Sequence, residues 1–241
     1  MSGFVDLHCH WIARIDDGAR SVDEGLEMLR ALGELGFSRV VATPHMRPGM
    51  FDNTREALTS AFDEMKAHLA ERDDLPEVAL SSEHYFDETV YFRILSGEAL
   101  PYPGERAILL EFYQVDFPTH VEQRLFDIRR RQLLPVIAHP ERYQCIWKRP
   151  ETLERLVELG SAALLDTAAL VGKYGRRPRK CAEELLERGL YHAACSDAHR
   201  PEDAAAVGRG MEWIDKKYGG DEVQFLFRSG PESLLAGTLP E

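Results

Sequence analysis

Phe4-Val5-Asp6-Leu7-His8-Cys9-His10 is a short, mostly apolar run that ends in two histidines. Side chains two positions apart on a β-strand point to the same side, so both imidazoles can reach one ion. Similar apolar or β-branched runs recur along the chain and alternate with longer segments of helical period. This alternation is typical of βα units arranged around a largely parallel sheet.

The pattern predicts about seven βα units within one domain, residues 1–241. The predicted strands are residues 4–10, 39–43, 77–83, 107–111, 135–139, 163–167 and 191–195. The predicted helices are residues 21–35, 54–72, 88–95, 120–131, 150–158 and 178–188, each with apolar residues recurring at intervals of three and four. After residue 219 we expect a short helix, and from about residue 229 a peripheral tail.

Composition and charge limit the class of protein. A chain of 241 residues with 44% hydrophobic residues can bury one substantial core. The formal net charge of −12 argues against nonspecific binding to nucleic acid or anionic lipid, because both need a basic surface. No apolar run approaches membrane-spanning length, and the four cysteines form neither a CxxC pair nor a disulfide framework. We therefore expect a cytoplasmic protein with no nucleic-acid partner and no membrane insertion.

Residues with metal-binding side chains end almost every predicted strand. In chain order they are His8, His10, His45, Glu83, Glu111, His139, Asp197 and His199. The carboxyl ends of parallel strands share one face, so we expect these side chains to converge. Any one histidine taken alone is more often structural than a ligand, and only the joint pattern favours a metal site. Nitrogen and oxygen ligands without a thiolate cluster suit Mn²⁺, Fe²⁺ or Zn²⁺, and mixed sets of this kind are typical of hydrolytic multi-metal centres.

Charged residues near these strand ends admit two interpretations. Asp16 and Asp17 either favour the N-terminus of the next helix electrostatically or bind metal. Arg142 offers a planar fork that matches phosphate oxygens, and a salt bridge to Glu141 is the alternative. The same two interpretations apply to Arg47. We favour phosphate binding for Arg142 and leave Arg47 open.

The densest basic run consists of Arg176, Arg177, Arg179 and Lys180. Such a run is usually a solvated face of a helix. The alternative is a docking site for an acidic partner, such as a flexible segment of a substrate.

Taken in order, these motifs resemble the PHP (polymerase and histidinol phosphatase) superfamily. Within that superfamily, the motifs most resemble those of the bacterial protein-tyrosine phosphatases that act on capsule and exopolysaccharide tyrosine kinases. The resemblance runs from residue 6 to about residue 199. It is carried by Asp6-Leu7-His8-Cys9-His10, Asp16-Asp17-Gly18, Thr43-Pro44-His45, Glu83, Ala138-His139-Pro140-Glu141-Arg142-Tyr143, Gly172-Lys173-Tyr174-Gly175 and Ser196-Asp197-Ala198-His199.

The resemblance implies an α/β fold, a distorted (β/α)7 TIM-like barrel, with a three-metal site that is commonly Mn²⁺-dependent. Carried over position by position, the first metal would be held by His8, His10, Glu83 and Asp197. Glu83 would bridge to a second metal, bound also by Glu111 and His139. The third would be held by Asp17, His45 and His199. Arg142 would bind the phosphate, and the chain departs from its relatives after His199, so Arg200 and Arg47 both remain candidates for a second phosphate contact.

The implied reaction is hydrolysis of phosphotyrosine on a protein, namely a bacterial tyrosine kinase of polysaccharide synthesis. Water activated by the cations would attack phosphorus in line, while the metals and Arg142 take up the developing charge. Arg142, His139 and Asp197 are therefore the predicted catalytic residues. The cysteine-based route is not expected, because no cysteine is followed six positions later by an arginine.

Two alternative functions use the same site. A small-molecule phosphatase of the histidinol-phosphate kind would need the same chemistry, and the sequence contexts of the motifs disfavour it. A metal-bound regulatory binding module without turnover would not need the complete ligand set or a phosphate-holding arginine. A nuclease is a weaker alternative still, because the acidic balance offers no basic track beyond residues 176–180.

Overall fold

Strands and helices alternate along the chain in the computed structural model, which describes residues 3–70 and 72–240. The strands are β1 Phe4–Cys9, β2 Phe37–Ala42, β3 His45–Met46, β4 Glu77–Leu80, β5 Glu83–Tyr85, β6 Ala107–Glu111, β7 Leu134–Ala138, β8 Ala162–Asp166 and β9 Ala193–Cys195. The α-helices are α1 Val22–Glu34, α2 Arg55–Ala67, α3 Glu88–Ser96, α4 Val121–Arg130, α5 Gln144–Lys148, α6 Glu151–Glu158, α7 Arg176–Glu187, α8 Asp203–Tyr218, α9 Gly220–Gln224 and α10 Gly230–Leu235. Short 3-10 turns cover Pro140–Arg142 and Thr167–Val171, and a π-helical turn covers Phe225–Ser229.

The strands form a parallel barrel that is broken at two positions. One sheet has the order β1-β2-β4 and the other the order β3-β5-β6-β7-β8-β9. The chain passes from the first sheet to the second between β2 and β3, at Thr43 and Pro44, and again between β4 and β5, at Ser81 and Ser82. Pro44 has no N–H to donate, which interrupts the ladder there. Its carbonyl instead accepts a hydrogen bond from the Ser82 hydroxyl (2.7 Å).

The barrel closes where β9 returns to β1. Cys9 and Ala198 form a parallel bridge, and the backbone N–H of Asp197 donates to the carbonyl of His8 (2.9 Å). Counting β2 with β3 and β4 with β5, seven strand positions surround the barrel. The predicted α/β class and distorted (β/α)7 TIM-like barrel are confirmed.

Most predicted elements lie within a few residues of the observed ones, and the main exceptions are as follows. Residues 77–83 are not one strand, because Ser81 and Ser82 separate β4 from β5. The second helix ends at Ala67 rather than at residue 72, and Glu71 within the predicted range lies outside the described residues. The 16-residue helix α8 was not predicted at all.

Two apolar layers build the core. Inward residues of the strands, such as Leu7, Leu109 and Val136, fill the barrel, while a larger layer packs between the strands and the helices. Leu234 of α10 is fully buried in the inner layer. The prediction of a peripheral tail from residue 229 is therefore wrong. Burial of a leucine side chain contributes about 1.5–3 kcal/mol to stability.

A register shift between Asp6 and Cys9 distorts β1 just before the site. As a result Leu7 packs inside the barrel, whereas Cys9 packs in the outer layer, with its Sγ 3.6 Å from Sδ of Met28. The four cysteines are all unpaired and buried. Within the described chain, none of the helices combines the length and apolar character required to cross a bilayer.

Candidate metal centre

All nine predicted metal ligands lie together at one mouth of the barrel. His45 and Glu83 begin the short strands β3 and β5, and the others lie at or after the ends of strands. The nitrogen and oxygen atoms of all nine form four overlapping groups, within each of which the donor atoms lie less than 4.8 Å apart. The groups are His10, Asp17, His45 and His199; His8, His10 and Asp197; His8, Glu83 and His139; and His45, Glu83 and Glu111. The structure thus brings together the eight side chains of the strand-end argument and Asp17, which only the resemblance had assigned to the metal site.

The grouping differs in several details from the arrangement implied by the resemblance. His10 belongs to the group of Asp17 and His199 as well as to the group of His8 and Asp197. Glu111 is grouped with His45 and Glu83 instead of with His139. Which side chains share which ion stays a prediction.

Glu83 is the centre of the cluster. It begins β5, directly after the break that turns the strand toward the barrel mouth, and its side chain is almost fully buried. Its Oε2 lies 3.2 Å from Nε2 of His8 and 3.0 Å from Nδ1 of His45, and its Oε1 lies 2.9 Å from Nε2 of His139. One carboxylate therefore links imidazoles from three different strands, as a bridging ligand would.

The electrostatics of the cluster keep Glu83 ionised. Burial opposes the charged form of Glu83, but the imidazoles of His8 and His45 outweigh it and hold the pKa of Glu83 well below its usual range. The converse holds for His45: burial lowers its pKa, yet the carboxylates of Glu83 and Asp17 raise it to about 10. Without a cation, protonated imidazoles balance this negative charge.

His10 is oriented by a carboxylate outside the predicted ligand set. Oδ2 of Asp16 lies 2.8 Å from Nδ1 of His10 and accepts a hydrogen bond from the backbone N–H of His45 (3.0 Å). Oδ1 of Asp16 accepts from the N–H of Gly18 (2.8 Å). Imidazoles that bind metal through one nitrogen commonly donate the other N–H to such a carboxylate. Asp16 is thus a positioning residue, and its neighbour Asp17 faces the cluster.

Asp17 and His199 form the more open edge of the cluster, and Glu111 is more buried. The side chain of Asp17 is 55% exposed, and its Oδ1 lies 3.4 Å from Nε2 of His45 and 3.3 Å from Nε2 of His199. Burial alone would raise the pKa of Asp17, but these two imidazoles lower it. Burial followed by the charge of Glu83 raises the pKa of Glu111 to about 7. Approach from solvent is therefore through this edge.

Two of the clustered residues hold a backbone conformation that L-residues rarely adopt. His139 has φ +34° and Asp197 has φ +43°, both directly after the ends of barrel strands. Non-glycine residues in this region cost of order 1–3 kcal/mol and persist where surrounding structure enforces them. The turns aim both side chains inward instead of along the strand.

The donor set fits divalent cations. Oδ1 of Asp197 and Oε2 of Glu111 are buried and have no hydrogen-bond partner among the described residues. Leaving such atoms unsatisfied is costly, and several carboxylates crowd the same space. Divalent cations would satisfy these atoms and offset the negative charge, and imidazole with carboxylate suits Mn²⁺, Fe²⁺ or Zn²⁺.

Arg142 lies beside the cluster and contacts three residues. Its Nη2 donates to Oδ2 of both Asp166 and Asp197, and its guanidinium stacks on the ring of Tyr174 (3.8 Å from Cζ to the ring centroid). The alternative interpretation of Arg142 named the wrong partner, because its salt bridges are to Asp166 and Asp197 and not to Glu141. Glu141 instead accepts a hydrogen bond from the backbone N–H of Asp166 (2.9 Å).

The two other candidate phosphate contacts have different surroundings. Arg47 lies over the ring of Tyr85, with Cζ 4.0 Å from the ring centroid, and its charge opposes the raised pKa of the nearby Glu111. Arg200 donates from Nη1 to the backbone carbonyls of Asp17 and Gly18. Arg200 therefore holds the loop that carries Asp17.

Sequence reasoning missed several supporting residues. Asp6 accepts hydrogen bonds from the N–H and hydroxyl of Ser196, and its burial raises its pKa to about 6. Burial raises the pKa of Glu141 to about 8. Asp166 was also missed, although it ends β8 in the way that the predicted ligands end their strands. Extending that same rule to β8 would have found it.

Comparison with known proteins places these features in a group of phosphatases. A family model described as capsular polysaccharide synthesis, CpsB/CapC, matches residues 4–236. The chain is 30% identical over 231 residues to the tyrosine-protein phosphatase YwqE of Bacillus subtilis, covering 96% of this chain and 91% of that protein. It is 25% identical over 241 residues to the tyrosine-protein phosphatase CpsB of Streptococcus pneumoniae, covering 98% and 99% of the two chains.

Solved structures agree with the barrel assignment. A chain from the crystal structures of YwqE and CpsB, described as unique metal-dependent tyrosine phosphatases, superimposes with a TM-score of 0.89 at 29% identity and covers 97% of this chain and 95% of that one. The phosphotriesterase homology protein of Escherichia coli superimposes with a TM-score of 0.59 at 13% identity, covering 97% and 99%, which shows a shared fold alone. The resemblance drawn from the motifs is confirmed at the level of the family.

Proposed function

The chain belongs to the CpsB/CapC family of capsular polysaccharide synthesis, and from that membership we propose that it is a metal-dependent protein-tyrosine phosphatase. The observation that carries the proposal is the convergence of nine imidazole and carboxylate side chains beside an arginine at one mouth of the barrel. A phosphoric monoester is the substrate that such a centre suits, because its charge needs both cations and a guanidinium.

We propose that the cluster holds three divalent cations, with Mn²⁺ as the physiological metal and Fe²⁺ or Zn²⁺ as substitutes. His8, His10, Glu83 and Asp197 would hold the first, Glu83, Glu111 and His139 the second, and Asp17, His45 and His199 the third. The four overlapping donor groups support several neighbouring ions over a single one, because no one ion can reach all nine side chains. The bound cations supply activation of water near neutral pH and stabilisation of charge on the phosphoryl oxygens.

Arg142 is proposed to orient the phosphate. Its Nη2 is occupied by Asp166 and Asp197, whereas Nη1 has no acceptor within residues 3–70 and 72–240. The plane of the guanidinium is fixed by the ring of Tyr174 on one face and by the two carboxylates at its edge. Nη1 can therefore donate to a phosphate oxygen without a rearrangement, and the side chain retains 17% of its exposure.

The rim of the site supports tyrosine as the phosphorylated residue. Phe51 stacks on the imidazole of His45 with ring centroids 5.3 Å apart, and the ring of Tyr85 carries the guanidinium of Arg47. Tyr113 is largely exposed two residues after Glu111. An aryl phosphate can place its ring against this aromatic rim while its phosphate reaches the buried ligands, whereas the side chain of phosphoserine is too short to do both.

We propose that the physiological substrate is a bacterial tyrosine kinase of polysaccharide synthesis and that the reaction takes place in the cytoplasm. The family to which the chain belongs supports the first part. Four unpaired, buried cysteines support a reducing compartment.

The test is a phosphatase assay on purified protein after chelation and add-back of Mn²⁺, Fe²⁺ or Zn²⁺. We expect metal-dependent hydrolysis of a phosphotyrosine peptide, with little turnover of a phosphoserine peptide or of histidinol phosphate. Arg142→Gln should raise KM and lower kcat, whereas Arg72→Gln, at an exposed position, should change neither. Preference for histidinol phosphate would replace the proposal by the small-molecule alternative, and metal binding without turnover of any aryl phosphate would favour the regulatory module.

A further inference from the structure

A basic groove lies between α5 and α7, and we define it by Trp147, Lys148, Arg177, Lys180 and Glu184. It has a volume of about 390 Å³. Lys148, Arg177 and Lys180 are exposed, and in the described part of the chain no carboxylate lies within salt-bridge distance of any of them. The one acidic residue of the groove, Glu184, already accepts from Nη2 of Arg188 (2.7 Å). The groove is therefore locally basic on a protein with a net charge of −12.

The groove adjoins the phosphate end of the metal centre. Nε1 of Trp147 donates to the carbonyl of Glu141 (2.6 Å), the residue directly before Arg142. On the other side Tyr174, which stacks on Arg142, precedes Arg177 by three residues, a span of at most about 10 Å. Helix α7 follows β8, so its first turn lies on the face where the strands end and the ligands gather.

The chemistry of the groove fits an acidic peptide. Three unpaired cations attract carboxylates. The indole of Trp147, with Cζ of Arg177 6.0 Å from its ring centroid, offers an apolar surface for the aliphatic parts of the peptide's side chains. A nucleic acid would need a longer basic track than one groove, and the overall acidic charge opposes it. Of the basic run at residues 176–180, Arg177 and Lys180 line this groove.

We propose that this groove binds an acidic segment of the substrate phosphoprotein, located about three or four residues from the phosphotyrosine. The proposal rests on the proposed phosphatase function and adds the recognition of sequence around the phosphorylated residue. With the phosphate held at Arg142, an extended chain advances about 3.3 Å per residue. Carboxylates a few residues along then reach Lys148, Arg177 and Lys180.

The test compares two phosphotyrosine peptides that differ only in having four glutamates or four glutamines next to the phosphotyrosine, with both flanks examined. Binding is measured with non-hydrolysable phosphonate versions of both peptides, and KM and kcat are measured with the hydrolysable ones. The groove variant is Lys148→Glu/Arg177→Glu/Lys180→Glu, with Arg177→Glu as a milder form. The control is Lys66→Glu/Arg72→Glu/Lys216→Glu, which makes the same charge change at exposed positions of other segments.

We expect the wild-type protein to prefer the glutamate peptide on one flank. The groove variant should raise KM for that peptide about tenfold while kcat and the hydrolysis of p-nitrophenyl phosphate stay unchanged. The control should retain the preference. Equal binding of the two peptides by the wild type, or equal losses in the groove variant and the control, would overturn the proposal.

The two proposals fail in different ways. Absence of turnover of every aryl phosphate would reject the phosphatase function, and the phosphonate peptides would still test the groove through their dissociation constants. Normal turnover combined with indifference to the glutamates would reject the groove alone. A groove that binds heparin or RNA more tightly than the glutamate peptide, without effect on KM, would also reject it.

Discussion

Replacing Asp16 by asparagine should weaken metal binding without removing a metal ligand. The carboxylate accepts hydrogen bonds on both oxygens, from the His10 imidazole and the His45 backbone on one side and from the Gly18 backbone on the other. An amide has a single acceptor oxygen and can serve one side only. If that oxygen faces Gly18, the NH₂ group faces Nδ1 of His10. The proton of His10 then moves to Nε2, the nitrogen directed at the cluster.

The magnitude follows from the role of Asp16 beside His10. Loss of a residue that orients a metal-binding imidazole typically costs 10- to 100-fold in metal affinity. This corresponds to about 1.4–2.7 kcal/mol of binding free energy. The fold should be retained, because asparagine has nearly the same volume as aspartate. Asp23→Asn, in the exposed first turn of α1, removes the same charge and should leave metal affinity unchanged.

Metal affinity is measured by calorimetric titration of chelated protein with Mn²⁺, and phosphatase activity is measured over the same metal range. Activity of Asp16→Asn should recover at saturating metal, since no group that contacts the substrate is lost. Unchanged affinity would refute the reasoning about His10. Activity that stays low at saturating metal would show that Asp16 acts on the reaction directly.

Three further predictions follow from the same geometry. His139→Ala should lower phosphatase activity by orders of magnitude while the far-UV circular dichroism stays native, and an unfolded variant or near-normal activity would contradict this. Cys9→Ala should keep kcat/KM within about twofold, because the Cys9 thiol packs in the outer layer and burial raises its pKa; loss of activity would reinstate a cysteine nucleophile. In metal-free protein, His45 has a pKa raised to about 10 against about 6.5 when unfolded. Its stabilising contribution is therefore complete below pH 6.5 and lost as the pH rises toward 10. Urea unfolding of chelated protein at pH 6.5, 8 and 9.5 should show falling stability, and a constant or rising free energy of unfolding would contradict the assignment.

The strands and their polar ends could be predicted from sequence because both signals are local. An apolar run followed by a ligand-type side chain specifies where β1, β6 and β7 end, and the parallel topology then brings those ends together. The break between β4 and β5 could not be predicted from residues 77–83 alone. It depends on the Ser82 hydroxyl bonding to the carbonyl of Pro44, which is distant in sequence.

Helix α8 was missed although its buried residues Ala204, Val207, Met211 and Ile214 recur at intervals of three and four, because two glycines interrupt the pattern. Gly208 and Gly210 lower intrinsic helix propensity. Gly210 is required by packing, since a Cβ there would lie 2.5 Å from the carbonyl oxygen of Thr167. Tertiary contact with the turn after β8 thus requires a residue that weakens the local preference for a helix.

The partners of Arg142 were missed for a related reason. Asp166 and Asp197 are 24 and 55 residues away in the chain, while Glu141 is adjacent. Glu141 was suggested because it is adjacent in sequence. In the short 3-10 turn that contains both residues, however, the side chains of Glu141 and Arg142 point in different directions. The position of the guanidinium depends on tertiary structure, which brings the ends of β8 and β9 close to the turn after β7.

Anomalous scattering from crystals grown with Mn²⁺, recorded at the manganese absorption edge, tests the central claim most directly. Three peaks should lie among the nine imidazole and carboxylate side chains, with Glu83 between two of them. A map without peaks at this mouth of the barrel, or with a single peak that leaves most of these side chains without a metal, would contradict it.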